Sequence, residues 1–282
     1  MTLSGIHIYP IKSAAGITLQ SATVQARGLE FDRRWMVVDR SNRFMTQRKF
    51  PKMALIQVHL NSDTLAVSAP DIDPLILPLQ PTDNEDSGAH LTVDVWGDRC
   101  DAISMGAESN AWFSQVIGQD CQLVYMPDNS QRPTDHGKYG NEQSVSFADA
   151  YPFLLISEAS LEDLNGRLEA PIPMNRFRPN LVVKGCDAFA EDDWNQIQIG
   201  KFTFSVAKAC SRCTIPTVDQ VTGIRGKEPI TTLATYRRWE GKIWFGQNLI
   251  QVEDASAKNS NLEDGKLEDS QLTVGDRLTI IS

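Results

Sequence analysis

Short alternations of apolar and polar residues dominate the chain and predict a protein rich in β-strands. The first part contains SGIHIYP, RRWMVVD, ALIQVHL, TLAVSA and LTVDVWGDRCDAI, separated by Gly, Asn, Asp and Pro. Later segments with the same character are YPFLLI, NLVVKG, NQIQIG, KFTFSVAKA, KIWFGQNLIQV and QLTVGDRLTII. Many short strands with turn signals between them are typical of barrels and mixed β folds.

Two segments predict helices instead. Residues 105–118 place their apolar side chains at helical spacing. A second helix is predicted from Ser157, whose hydroxyl suits the N-cap, to Arg167, with Glu158 in the first turn. The predicted fold class is therefore mostly β, of the α+β kind, with a few helices.

The composition is that of an ordinary soluble globular chain. The 282 residues are 41% hydrophobic and 22% charged, and no apolar run approaches the roughly 18 residues that a membrane-spanning helix needs. Five cysteines, an odd number, do not suggest the disulfide framework of a secreted protein. We therefore expect a reduced, cytoplasmic protein without a membrane span.

The charge distribution narrows the range of partners. A net charge of −9 argues against nucleic-acid binding, which requires a basic surface. Part of this charge is local, because six acidic residues and only two lysines lie between residues 253 and 270. With its Ser, Asn and Gly residues, this segment predicts an exposed acidic loop.

The segment KACSRCTIPTVDQVTG, residues 208–223, carries the most distinctive chemistry. Cys210 and Cys213 lie three positions apart beside Lys208 and Arg212, and cationic neighbours favour the thiolate, which binds metals and attacks electrophiles. A structural zinc site would need two further ligands at recognisable spacing, and a redox dithiol should begin a helix. A single working thiolate and two ordinary buried cysteines both remain open at this point.

An ordered set of motifs carries a family resemblance over nearly the whole chain. The chain resembles the MOSC-domain proteins, in the group of the mitochondrial amidoxime-reducing component and the bacterial YcbX-type reductases. The matching segments are YPIKSAAG (9–16), FDRRWMVVD (31–39), MTQRKFP (45–51), FADAYPFLLISEASLEDLNGRL (147–168), NRFRPNLVVKGCDAFAEDDW (175–194), ACSRC (209–213), KIWFGQNL (242–249) and VGDRLTI (274–280).

The resemblance implies an architecture and a cofactor. It implies a MOSC N-terminal β-rich domain at residues 1–125, packed on a MOSC β-barrel at residues 126–282. It also implies the molybdenum cofactor, a pyranopterin with a dithiolene-held metal and a phosphate at its far end. Cys210 matches the cysteine that ligates molybdenum, and a soft thiolate suits such a metal. Cys213 matches the second cysteine, for which no direct ligation is expected.

Further positions match cofactor contacts of the family. Arginine suits the phosphate because its planar fork binds oxyanions bidentately, and lysine acts as a point charge. Arg176 and Asn180 flank the matching residue Arg178 and are weaker candidates for cofactor contacts. The residues expected near the cofactor are Lys12, Ser13, Arg33, Asp149, Asn175 and Arg178, with the backbone of Ala209 and Ser211 near the metal.

The function that the resemblance implies is reduction of N-hydroxylated compounds, namely hydroxylamines, amidoximes and N-hydroxylated bases. The alternatives are a molybdenum cofactor carrier or sulfur-transfer protein without reductase activity, and an inert binding module. We expect the chain to lack the membrane anchor of eukaryotic relatives and the C-terminal ferredoxin domain of the YcbX type. The sequence has neither a C-x₄-C-x₂-C pattern nor a glycine-rich dinucleotide motif. A separate electron donor of the ferredoxin or flavin reductase type is therefore expected.

Overall fold

Strands make up most of the regular structure. The computed structural model describes residues 1–81, 90–134, 144–252 and 270–282. The strands are β1 (Thr2–Ile8), β2 (Ile17–Leu19), β3 (Ser21–Gln25), β4 (Gly28–Leu29), β5 (Trp35–Val38), β6 (Gln57–Leu60), β7 (Thr64–Ala69), β8 (Ile72–Pro78), β9 (His90–Val95), β10 (Asp98–Ser104), β11 (Gln122–Tyr125), β12 (Phe153–Ser157), β13 (Leu181–Lys184), β14 (Gln196–Ile199), β15 (Phe202–Ser211), β16 (Arg238–Trp239), β17 (Lys242–Val252), β18 (Gln271–Thr273) and β19 (Leu278–Ile280).

Three α-helices and four 3₁₀ turns connect these strands in the described part of the chain. Their bounds are α1 (Gly106–Ile117), α2 (Glu158–Asn165), α3 (Ile230–Tyr236), η1 (Pro51–Leu55), η2 (Met174–Arg176), η3 (Ala190–Asp193) and η4 (Ile215–Thr217).

One large sheet joins the two ends of the chain. Its strand order is β19-β14-β15-β17-β12-β13-β1-β2, with β16 paired to β17. The strands β12 and β13 are parallel, and the helix α2 lies in the connection between them, as a parallel pair requires. The first strand pairs antiparallel with β13, where Ile6 lies opposite Leu181. The N-terminal strands therefore complete the sheet that the C-terminal half begins.

Three smaller sheets complete the fold. Their orders are β5-β11-β10-β9, β18-β3-β4 and β6-β7-β8. A core around Trp35, Trp112 and Phe113 fills the N-terminal half, where the apolar face of α1 meets the strands. A second core around Phe153 and Phe204 lies under the large sheet. Burial of these apolar faces stabilises the layers that carry the site.

The predicted β-rich fold is confirmed, but six strands and one α-helix lie outside the predicted segments, namely β2, β3, β4, β8, β11, β16 and α3, of which β8 and α3 are the longest. The strand β8 contains Pro74, which argues against a central strand, but β8 is the edge of its sheet, where proline is tolerated. The short helix α3 is rich in threonine and depends on buried Leu233 for its packing. The predicted helix after Ser157 is present: the Ser157 hydroxyl accepts from the Ser160 amide, and the helix ends at Asn165, two residues early.

The chain order does not divide the strands cleanly into two halves. The predicted boundary after residue 125 falls at the end of β11 and stays a prediction, because β1 pairs with β13 and β18 pairs with β3. The predicted acidic loop at 253–270 lies outside the described residues except for Ser270.

Candidate functional site

The YPIKS segment leaves β1 and runs beside the start of β5. Ile11 bridges to Trp35 in parallel, and the Lys12 amide donates to the Trp35 carbonyl at 2.8 Å. Ser13 has a left-handed backbone, with φ of 68°, and its carbonyl accepts from the Gln47 side chain at 2.8 Å. A non-glycine residue held in this region is uncommon and is often found at functional sites.

Lys12 is a buried cation with a defined anionic partner. Its Nζ donates to the Phe147 carbonyl and to Asp149 Oδ1, each at 2.6 Å. Burial lowers the pKa of Lys12 to about 8, although the Asp149 carboxylate acts in the opposite direction. Burial would raise the pKa of Asp149, but Lys12 and Arg48 together hold it below its ordinary value. Asp149 therefore stays ionised at neutral pH.

Two arginines from distant segments meet on one aromatic ring. The guanidinium carbons of Arg33 and Arg178 lie 4.4 Å and 4.1 Å from the centre of the Tyr9 ring. Both arginines have left-handed backbones, with φ of 50° and 57°. A Cβ at Gly16 would lie 2.5 Å from the same ring, so the chain needs glycine there. Tyr9 thus places two cations side by side, 145 positions apart in sequence.

The two guanidinium groups differ in their partners. Arg33 Nη1 donates to Asp32 Oδ2 at 2.6 Å and to Asn180 Oδ1 at 3.1 Å. Arg178 Nη1 donates to the Ala14 carbonyl at 2.5 Å, while its Nη2 is buried and has no hydrogen-bond partner in the described part of the chain. Burial lowers the pKa of Arg178 to about 10, which leaves it protonated at neutral pH. Arg178 therefore holds an N–H group that a bound acceptor could satisfy.

Cys210 lies at an irregularity of β15. The register between β15 and β17 shifts between Ala209 and Ser211, and such bulges redirect side chains near functional sites. Burial raises the pKa of the Cys210 thiol, and Arg212 acts in the opposite direction without outweighing it. The predicted effect of a cationic neighbour is present in Arg212, but burial outweighs it in this structure. Cys210 and Cys213 are both free thiols.

A cavity, the inner cavity, brings most of the predicted residues together. It contains about 760 Å³ of empty space, which includes solvent at its opening. Seven predicted residues line it: Lys12, Ser13, Arg33, Asp149, Arg178, Cys210 and Ser211. The other described lining residues are Ala148, Ala150, Tyr151, Leu154, Arg176, Phe177, Asn180, Arg212, Cys213, Ile215, Pro216 and Asn248.

A second, wider cavity, the outer cavity, adjoins the first along a shared wall. It contains about 1750 Å³ of space that opens to solvent. The shared wall is formed by Asp149, Ala150, Tyr151, Cys210, Ser211, Arg212, Cys213 and Asn248. The residues that line only the outer cavity are Arg48, Trp96, Lys208, Ala209, Arg238, Gly241, Lys242 and Ile243.

Two predicted residues do not line the inner cavity. Ala209 lines the outer cavity only. Asn175 is exposed in η2 and is absent from both linings; its carbonyl accepts from the Arg178 amide at 3.3 Å. The sequence match therefore marked the turn that presents Arg178, and the structure does not bring the Asn175 side chain to the cavity.

Arg212 and Asn248 line both cavities but were not among the predicted cofactor contacts. Arg212 follows Cys210 by two positions, the spacing of side chains on one face of a strand, so a local signal existed. Its Nε donates to the Phe245 carbonyl at 2.9 Å, and its Nη2 is buried without a partner. Asn248 lies opposite Lys208 in the strand register, and only the register brings it beside Cys210.

Arg132 is a further missed residue and acts through the backbone. Its side chain is buried, and Nη1 donates to the carbonyls of Ser146 and Ala148 at 3.0 Å and 2.5 Å. Its Nη2 donates to the Asp149 carbonyl at 3.0 Å. Arg132 thus holds the segment that presents Asp149 to both cavities.

Two features are absent from the described residues. No helix in these ranges has the length and apolar character required to cross a membrane. Within the same ranges, no three His, Cys, Asp or Glu side chains are grouped so that they could hold a metal ion by themselves.

Comparison with known proteins identifies the family. The model of the MOSC N-terminal beta barrel domain matches residues 1–120, and that of the MOSC domain matches residues 142–279. Mitochondrial amidoxime-reducing component 1 of Mus musculus is 38% identical over 245 residues, covering 84% of this chain and 71% of that protein. The protein of the same name from Homo sapiens is 35% identical and covers 91% of this chain and 80% of its own.

A third relative has a different name. The molybdenum cofactor sulfurase of Oryza sativa subsp. japonica is 35% identical over 274 residues, which are 89% of this chain but 32% of that protein. The family models and the extent of identity confirm the resemblance drawn from the motifs. The chain belongs to the MOSC-domain proteins, in the group that contains the mitochondrial amidoxime-reducing components.

Proposed function

We propose that this protein is a molybdenum cofactor-dependent reductase of N-hydroxylated compounds, namely hydroxylamines, amidoximes and N-hydroxylated bases. One observation supports this most directly. The predicted ligand Cys210 lies in the wall shared by a cation-lined inner cavity and an open outer cavity. That arrangement suits a cofactor bound inside and a substrate that approaches from outside.

The inner cavity fits the cofactor chemically. Its described lining includes five cations and the single carboxylate of Asp149, which Lys12 already pairs. Buried N–H groups of Arg178 and Arg212 have no hydrogen-bond partner, so an anionic group would satisfy both. Cys210 offers a soft thiolate to the metal, while Lys12, Arg33 and Arg178 would hold the phosphate.

The overall reaction is balanced by two electrons and two protons. In R₂N–OH + 2 e⁻ + 2 H⁺ → R₂NH + H₂O, the N–O bond breaks, an N–H bond forms and the oxygen leaves as water. When bound, the cofactor supplies the two-electron, oxygen-accepting metal centre, and the chain supplies binding and orientation. Asp149 is ionised on the shared wall, where its carboxylate could accept a hydrogen bond from the substrate N–OH.

The electrons require a donor. We propose a separate protein of the ferredoxin or flavin reductase type, because the 282-residue sequence contains neither a cluster-binding nor a dinucleotide motif. Molybdenum-loaded protein should then reduce a hydroxylamine with a chemical donor and not with NADH alone. NADH-driven turnover by the isolated chain would contradict this part of the proposal.

The cytoplasmic location stays a prediction.

The test is metal analysis combined with an activity assay. Molybdenum-loaded protein should reduce benzamidoxime to benzamidine with reduced methyl viologen, and Cys210→Ala should abolish the reaction. Cys186→Ala is the matched control, because Cys186 lines neither cavity. Bound cofactor without turnover would support the carrier or sulfur-transfer alternative. The similarity to the rice molybdenum cofactor sulfurase is the observation that favours this alternative. Absence of bound molybdenum after cofactor loading would contradict both.

A further inference from the structure

The described lining of the outer cavity carries a charge opposite to that of the whole chain. The net charge of the sequence is −9. Asp149 is the one acidic side chain among the described residues that line this cavity. Five cations line it as well: Arg48, Lys208, Arg212, Arg238 and Lys242. This local excess of positive charge therefore does not reflect the overall composition.

The single carboxylate is already compensated by its neighbours. Asp149 Oδ1 accepts from Lys12 Nζ at 2.6 Å and from Trp96 Nε1 at 3.2 Å, and Oδ2 accepts from Arg48 Nη2 at 3.2 Å. Lys12 from the inner side and Arg48 from the outer side together compensate Asp149. Arg238 and Lys242 make no ion pair with another described residue, so their charges add a positive potential that a ligand can meet.

An exposed aromatic ring lines the same cavity and contacts one of these cations. Trp96, at the turn between β9 and β10, is 53% exposed and has a left-handed backbone with φ of 62°. The Arg48 guanidinium lies 4.4 Å from the Trp96 ring centre, and its Nε is buried without a hydrogen-bond partner. A large exposed ring in a fixed position offers a flat apolar surface to a planar ligand.

The remaining cations come from the strands β15, β16 and β17 and the residues beside them. Arg238 and Lys242 are both exposed on the hairpin formed by β16 and β17, where Trp239 pairs with Lys242. Lys208 is exposed on β15, close to Cys210 in sequence. Cations on several walls of a concave site attract an anion more strongly than the same charges on a flat face.

We propose that the outer cavity selects N-hydroxylated substrates that carry an oxyanion, a carboxylate or a phosphate, on a planar group. The planar group would lie against Trp96, and the oxyanion would face Arg238 and Lys242 while the N–OH group points to the shared wall. The proposal rests on the proposed reductase function. A small molecule is favoured over a protein ligand because the cations line a cavity.

The test compares matched substrates in a single assay. The substrate pairs are benzamidoxime against 4-carboxybenzamidoxime, and N⁴-hydroxycytidine against its 5′-monophosphate. The two pairs distinguish a carboxylate from a phosphate as the recognised group. Reduced methyl viologen serves as the donor, so that docking of a donor protein cannot contribute. The variants are Arg238→Gln and Lys242→Gln, with Lys184→Gln as a control that removes one exposed charge from a residue that lines neither cavity.

The expected result is a higher kcat/KM for the anionic member of at least one pair. The ratio of kcat/KM for the anionic substrate to kcat/KM for the neutral substrate should fall roughly two- to fivefold in each of the two hairpin variants, Arg238→Gln and Lys242→Gln. The same ratio should fall in the wild-type protein at high salt. It should not fall in Lys184→Gln. Equal ratios in wild type and both hairpin variants, with benzamidoxime still reduced, would overturn this inference alone.

Two other outcomes would also decide the question. An effect of the variants that occurs with a protein donor and not with methyl viologen would assign Arg238 and Lys242 to donor docking and overturn the substrate inference. Failure of molybdenum-loaded wild type to reduce either member of both pairs would overturn the proposed function, and this inference with it.

Discussion

Arg178 provides the most direct test of how the inner cavity holds an anion. Its Nη1 donates to the Ala14 carbonyl, and its Nη2 is buried without a hydrogen-bond partner. A charge-assisted hydrogen bond to a phosphate oxygen should contribute about 1.5–3 kcal/mol. Because 1.4 kcal/mol corresponds to a factor of ten, Arg178→Gln should weaken cofactor binding by roughly ten- to a hundredfold. Glutamine can still donate a hydrogen bond to Ala14 but carries no charge.

The assay measures molybdenum per folded chain after exhaustive dialysis, with thermal unfolding recorded before and after cofactor loading. Loading should raise the Tm of the wild type more than that of Arg178→Gln, because the ligand stabilises the fold by its binding free energy. Arg34→Gln is the control, since Arg34 is also buried but lines neither cavity. It should lower stability without weakening cofactor binding. Molybdenum retention by Arg178→Gln equal to that of the wild type would refute the assignment.

Three further predictions concern the metal ligand, the buried lysine and a glycine of β17. Cys210→Ala should abolish benzamidoxime reduction while Cys213→Ala retains most of it; equal losses would contradict the assignment of the ligand. Burial sets the folded pKa of Lys12 at about 8, below its ordinary 10.5, so the unfolded chain holds more protons between these values. The unfolding free energy of the wild type should therefore rise with pH across that window relative to Lys12→Met. Parallel urea denaturation series of the two proteins measure this difference, and the same pH dependence in both would contradict the prediction. A Cβ at Gly246 would lie 2.6 Å from a buried neighbour at φ of 79°, whereas Gly118 has φ of 77° and open space. Gly246→Ala should cost about 1–3 kcal/mol more than Gly118→Ala in urea unfolding, and equal costs would exclude the steric explanation.

Local sequence patterns predicted most of the elements. The continuous apolar run at 151–156 predicted the buried strand β12, and all five residues of that strand are buried. The Ser157 cap was also readable, because capping depends on residues three positions apart. The strand β8 and the helix α3 were missed, since their positions depend on a sheet edge and on the packing of Leu233.

The candidate site was predicted in part. The motifs marked Lys12, Arg33, Arg178 and Cys210 through family resemblance, and all four line the inner cavity. The pattern could not show that Asn175 would be exposed and line neither cavity. It also could not show that burial would dominate the pKa of Cys210, because desolvation depends on every element packed around the thiol.

By itself, the sequence determined the fold class, the family and the types of side chain available to the site. These depend on residue identity and on spacing over a few positions, which act whatever the rest of the chain does. The tertiary structure alone decided that Arg33 and Arg178 meet on Tyr9, that Asn248 lies beside Cys210, and that cations collect around an open cavity in an acidic chain. Strand register and burial set these contacts, and both arise only when segments far apart in sequence pack together.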